Sequence, residues 1–230
     1  RHAVLGMEAD QMAIDRDLQI YYSLKPEGDD PVAIDFLTYH EDKAKEPGHF
    51  MLLLSPEDWN EKAEVVPKDV IFVFDTSGSM RGKKMEQAQK AINFCIQSLN
   101  PNDRFEVIRF STEAEPVFEN LVAASEENRD RALKFVDSVR AIGGTAIEEA
   151  LSLAVATAGK APAKNRPLQI IFMTDGKPTL GATKKEVILN SVTKAISDSS
   201  VNPRIFCFGI GTSINTHLLD LVTEKTRAVS

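Results

Sequence analysis

With two cysteines in 230 residues, the chain has too few for a disulfide framework. No C-x-x-C or paired Cys/His spacing offers zinc a tetrahedral site. Cys95 sits in a helical pattern among Ile92, Phe94 and Ile96, and Cys207 in a short apolar stretch; both read as buried free thiols. Histidine is scarce too. His2, His40, His49 and His217 share no spacing, so a histidine metal centre and a Ser-His-Asp arrangement both lack their parts. Positive charge is in deficit, with 27 Lys and Arg against 34 Asp and Glu. The resulting net charge of -7 is the opposite of the basic face that a nucleic-acid binder carries. No apolar run approaches membrane-spanning length. The phosphate-cradling pattern G-x-x-x-x-G-K-[ST] and the nucleophile turn G-x-S-x-G are both missing. The chain starts at Arg1 with no signal peptide, which reads as a piece excised from a longer protein and so has no bearing on export.

What remains is an ordinary globular composition, 43% hydrophobic and 27% charged, in a length that suits one full domain and a smaller piece. Residues 17–24, 32–40 and 50–54 read as three short strands between polar turns such as Glu27-Gly28-Asp29-Asp30-Pro31, a pattern of antiparallel β structure. Three strands are few for independent stability. From Asp69 onward, strand and helix patterns alternate. Strands are expected at 69–74, 104–110, 168–174 and 204–208, with a weaker and more polar edge strand at 115–121. Helices are expected at 84–99, 126–141 (capped by Ser125), 146–158, 184–197 and 215–225. Such alternation predicts an α/β fold, a doubly wound and mostly parallel sheet with helices on both faces, preceded by the short antiparallel β segment. The expected division is 1–65 for the β-rich segment and 66–230 for the α/β domain.

The chain is organised around Asp75-Thr76-Ser77-Gly78-Ser79. This polar stretch closes the apolar run 69–74, which fits a strand buried on both faces, and it precedes a helix. A buried strand opening onto a polar loop and then a helix is a usual place for a ligand in an α/β sheet. Its side chains offer one carboxylate and two hydroxyls, hard oxygens that suit magnesium, manganese or calcium rather than zinc.

D-x-S-x-S resembles the metal-ion-dependent adhesion site of von Willebrand factor A (vWA) domains. That family completes its site with a threonine and an aspartate from two later loops. Matching positions follow in the expected order, Thr145 after Gly143-Gly144 and Asp175 after the apolar run 168–174. The resemblance, over about residues 66–230, implies a metal set of Asp75, Ser77, Ser79, Thr145 and Asp175. With two charged groups among five, such a site would leave a magnesium ion incompletely neutralised and with a replaceable position, which an Asp or Glu carboxylate of a protein partner would fill. Mg2+ is the expected metal, with Mn2+ or Ca2+ as alternatives. Within the family, V-P-K-D-V (66–70), S-L-N-P-N-D-R-F (98–105) and I-R-F-S-T (108–112) resemble the heavy chains of inter-alpha-trypsin inhibitor. Those chains carry a β-rich VIT domain before the vWA domain. That resemblance implies residues 1–65 are the tail of a VIT-like domain or its connection, and an extracellular, periplasmic or cell-surface location.

Two other readings compete with metal-dependent adhesion. The metal could serve only to brace the fold. Alternatively, Asp75 could be the nucleophile of a haloacid-dehalogenase-type phosphohydrolase, but that chemistry needs a second Asp where this chain has Ser77. Arg81, Lys83, Lys84, Lys177 and Glu113 lie near these loops and read as solvated surface charges. Nothing in the sequence specifies an oligomeric state.

Overall fold

The computed structural model describes residues 32–39, 48–56, 66–160, 165–199, 201–211 and 214–228. They fall into two units, 1–64 and 65–230. In the first, β1 (Val32–Tyr39) and β2 (His49–Pro56) pair antiparallel along their whole length, Val32 opposite Pro56 and Tyr39 opposite His49. The expected strand at 17–24 lies outside the described residues.

The second unit follows the alternation in the sequence. Its elements are β3 (Asp69–Asp75), α1 (Lys83–Gln97), β4 (Arg104–Phe110), β5 (Ala114–Pro116), β6 (Val122–Ala123), α2 (Glu126–Ser138), α3 (Ile147–Gly159), β7 (Leu168–Thr174), α4 (Lys185–Ser199), β8 (Arg204–Gly209) and α5 (Thr216–Lys225). The central sheet has the order β5-β4-β3-β7-β8, with β6 also on β4. β4, β3, β7 and β8 are parallel, and the two short strands are antiparallel to β4.

Side chains of a strand alternate between faces, and β3 fills both. Ile71 and Val73 join Ile108, Phe110 and Phe172 under α3, α4 and α5. Val70, Phe72 and Phe74 join Phe105 and Val107 under α1 and α2. All seven residues of β3 are buried, as expected of a central parallel strand covered on both sides. Of the helix caps, Ser125 accepts the backbone N–H of Asn128 at 3.3 Å, and Asn215 does the same for Leu218 at 3.4 Å. Both cysteines are free. Burial among apolar side chains, with Asp220 nearby, pushes the Cys207 thiol up to about 12, whereas Cys95 is only half-buried.

The single edge strand expected at 115–121 is instead two fragments with a turn between them. Pro116 is the last residue of β5, and Glu119 takes a left-handed φ of 66°. Two of the turn's amides point inward to a buried carboxylate: Glu106 Oε1 accepts the N–H groups of Val117 and Phe118, each at 3.1 Å, besides that of its β4 neighbour Val107 at 2.8 Å. Burial nevertheless raises the Glu106 carboxyl above its ordinary 4.5, outweighing these hydrogen bonds. The native state therefore takes up this proton before the unfolded state does, and the group's contribution to stability rises as pH falls from neutral toward 4.5. Glu106→Gln lacks this slope. In urea denaturation at pH 7.5 and 5.0, wild type should gain stability relative to the variant at the lower pH; a constant gap would contradict the assignment.

The amino ends of the strands are tied by ion pairs. Asp69 accepts Arg104 Nε at 2.9 Å and Nη2 at 2.6 Å, and Arg166 Nε at 2.8 Å. Arg166 also donates to the carbonyls of Lys68 and Asn102. Asp103 accepts the backbone N–H and the ammonium of Lys68 at 2.9 and 2.6 Å.

Candidate metal centre

In this strand order, β3 and β7 are neighbours whose connections diverge. The chain leaves β3 for α1 on one face of the sheet and leaves β7 for α4 on the other. Divergence of this kind opens a crevice at the carboxyl ends of the two strands. Asp75 ends β3 and Asp175 directly follows β7, so both carboxylates lie on the crevice.

Backbone hydrogen bonds hold three loops together there. Thr76 N donates to Phe110 O at 2.7 Å, Gly78 N to Gly143 O at 3.0 Å, and Ile142 N to Thr76 O at 2.8 Å. The threonine loop is fastened to the loop after β7, with Thr145 N donating to Thr179 Oγ1 at 2.8 Å and Thr179 N returning to Thr145 O at 3.0 Å. Gly143 has φ +90°, and a Cβ there would stand 2.6 Å from Thr112 Oγ1, so both conformation and space call for glycine.

Four of the five expected ligand residues form one hydrogen-bonded group. Ser77 Oγ and Ser79 Oγ are 3.0 Å apart, and Ser79 Oγ donates to Asp175 Oδ1 at 2.7 Å. Asp75 Oδ1 accepts the Ser77 N–H at 2.8 Å, and its Oδ2 accepts Thr174 Oγ1 at 2.6 Å. Thr145 is placed beside them. The point where a Cβ of Gly176 would sit is 3.7 Å from Ser79 Oγ and 4.0 Å from Thr145 Oγ1, so both hydroxyls line the same recess. Asp75, Ser77, Thr145 and Asp175 are buried and Ser79 is exposed, which leaves the group open on one side.

The electrostatics are uneven. Burial raises the Asp75 carboxyl above its ordinary 3.8, against the lowering effect of the Thr174 and Ser77 hydrogen bonds, and Asp175 adds like-charge repulsion. No cation pairs directly with Asp75 among the ion pairs of the described residues. The side chains fit a hard cation: two carboxylates and three hydroxyls, with no nitrogen or sulfur donor. Among the described residues no three His, Cys, Asp or Glu side chains cluster in a metal-holding arrangement, and a site rich in hydroxyls is of a different kind.

Three further residues take part. Thr174 holds Asp75, Thr179 holds the Thr145 loop, and Lys84 donates to Asp175 Oδ2 at 2.5 Å. Lys84 is thus ion-paired with Asp175 and differs from the solvated charge expected of it. Arg81 donates to Ala141 O at 3.3 Å, while Lys83, Lys177 and Glu113 are exposed as expected. Ser77 provides no second carboxylate beside Asp75 for acid–base work.

A doubly wound sheet with an oxygen-lined crevice defines the class of α/β domain that binds ligands at the ends of its strands. The family model of the von Willebrand factor type A domain matches residues 68–228, and the chain belongs to that family. Its domain is homologous to the vWA domains of inter-alpha-trypsin inhibitor heavy chains. Mouse inter alpha-trypsin inhibitor, heavy chain 4, is 38% identical over 181 residues, 76% of this chain and 18% of the relative. Human inter-alpha-trypsin inhibitor heavy chain H2 is 27% identical over 229 residues, 96% of this chain and 22% of the relative. The chain thus spans about a fifth of the length of these curated relatives. Among solved structures, a von Willebrand factor type A protein from Catenulispora acidiphila superimposes with a TM-score of 0.67 at 22% identity, over 87% of this chain and 45% of that one, and shares the fold. Family membership makes the domain a protein-interaction module rather than an enzyme. Among the described residues no helix is long and apolar enough to cross a membrane.

Proposed function

We propose that residues 66–230 form a metal-dependent binding domain in which Asp75, Ser77, Ser79, Thr145 and Asp175 hold Mg2+, with Mn2+ or Ca2+ as substitutes, and that the loaded site captures an Asp or Glu side chain of a protein partner. The observation that carries the reading is the convergence of these five oxygen-bearing side chains on one recess at the β3–β7 crevice. When bound, the ion supplies a positive centre for the partner's carboxylate oxygen. The chain's own groups do the rest. Thr174 and the Ser77 N–H orient Asp75, Thr179 fixes the threonine loop, and the exposed side at Ser79 admits a ligand.

A metal that merely braces the fold is the weaker reading, because direct backbone hydrogen bonds already join the three loops. On the same footing, residues 1–65 are the tail of, or connection from, a VIT-like β domain, and the parent protein acts outside the cell, in a periplasm or at a cell surface. Calorimetric titration of the metal-stripped protein with Mg2+ and Mn2+, beside Asp175→Ala, tests the site. Binding by the wild type with loss of at least about 100-fold in the variant is expected, since one of two charged groups is removed. Equal binding by both would overturn the five-residue site.

A further inference from the structure

We propose that Lys84 is a resident cation of this site, which weakens the hold on a divalent metal and strengthens the loaded site's hold on a carboxylate. The inference rests on the metal-binding reading above and concerns how metal and partner depend on each other.

Lys84 lies in the first turn of α1 and is fixed by three separate segments. Its ammonium donates to Asp175 Oδ2 at 2.5 Å and lies 3.3 Å from the Ser79 carbonyl oxygen. Its stem crosses the loop after β8, where a Cβ on Gly211 would stand 3.0 Å from Lys84 Cε and 3.5 Å from Nζ. Gly211 has φ +100°, so the position favours the one residue that also leaves the stem its path. The Lys84 side chain is 36% exposed and that of Asp175 is 0%, so the ion pair sits at the mouth of the recess, between its buried carboxylate and solvent.

The charges give Lys84 two opposite effects. Asp75 and Asp175 bring two negative charges, of which Lys84 cancels one. A divalent cation entering the recess meets a like charge already engaged with one of its ligands, which disfavours entry. Once the metal is in place, the site carries a net positive charge because of Lys84, where without it the sum would be neutral. An incoming carboxylate is therefore bound more strongly with Lys84 than without. Metal alone is held loosely, and metal together with an acidic ligand is held well, a reciprocal coupling between two ligands of one site. A lysine that only supported the fold would move both affinities in the same direction or neither.

The test measures free Mn2+ by electron paramagnetic resonance for wild type, Lys84→Met and Lys84→Arg. Each is titrated in chloride and in acetate of equal ionic strength, with Mn2+–acetate pairing in solution subtracted and native folding checked by circular dichroism. In chloride, Lys84→Met should bind Mn2+ about tenfold tighter than wild type, and Lys84→Arg should resemble wild type. Exchange of chloride for acetate should strengthen Mn2+ binding several-fold more in wild type than in Lys84→Met. Equal or weaker Mn2+ binding by Lys84→Met in chloride would overturn the inference, as would an equal response of the two proteins to acetate. Either of those results leaves the metal site standing. Failure of the wild type to take up Mn2+ at all would remove the metal site and this inference with it.

Discussion

Asp75→Asn should bind Mn2+ at least about 100-fold more weakly than wild type and yet, metal-free, be the more stable protein. The two effects come from the same buried charge. Asp75 is wholly buried, and burial raises its carboxyl despite hydrogen bonds from Thr174 and Ser77. The ionised form is thus disfavoured in the metal-free native state relative to the unfolded chain. Asparagine has nearly the same shape. Its oxygen can accept the Ser77 N–H, and its amide can face Thr174 Oγ1, where Asp75 Oδ2 now accepts. Removing the charge should therefore raise the metal-free stability at neutral pH. Urea denaturation in a chelator gives the stability, and calorimetry gives the affinity. A metal-free variant less stable than wild type would show that Asp75 serves the fold rather than a ligand.

The second large effect lies at the other end of the same strand. Asp69→Ala should lose about 3 kcal/mol of stability, or roughly 6–12 °C in Tm, with Mn2+ affinity unchanged. Asp69 joins Arg104 at the start of β4 to Arg166 just before β7, through three charge-assisted hydrogen bonds. Arg166 keeps the carbonyls of Lys68 and Asn102, but removing Asp69 takes the shared carboxylate from two guanidinium groups. At 27% and 21% exposure they can rehydrate in part, which keeps the loss at the lower end for a broken buried ion pair. The seven residues of β3 separate Asp69 from the candidate metal centre by about 20 Å of strand. Loss of Mn2+ binding together with stability would mean that the two ends of the sheet are coupled.

Periodicity revealed most of the second unit. β4 and β7 have the expected bounds, and α1 through α5 differ from expectation by a few residues at their ends. These elements bury one stripe or both faces, and burial writes itself into sequence as a period. The edge after β4 departs from expectation because an ordinary run of residues hides a turn whose amides are satisfied by Glu106, a partner 11 and 12 positions away. At the candidate metal centre, the motif residues could be named because their types and order are distinctive. Thr174, Thr179 and Lys84 could not. A threonine ending a strand and a lysine starting a helix are commonplace, and their roles come from contacts spanning 99, 34 and 91 positions in the chain. Lys84 has one available signal in retrospect, the glycine at 211 that leaves room for its stem.

The fastening of Gly78 to Gly143 and of Ile142 to Thr76 uses main-chain atoms alone. Side chains on these loops can therefore change without unfastening them, provided that Gly143 keeps its left-handed turn. Ion preference and scaffold are separable traits in such an arrangement. A Ser77→Asp exchange, for instance, alters the charge presented to a cation while every backbone tie between the loops remains available. A lineage carrying this domain could drift between metals, or lose metal altogether, and leave behind a crevice of unaltered shape.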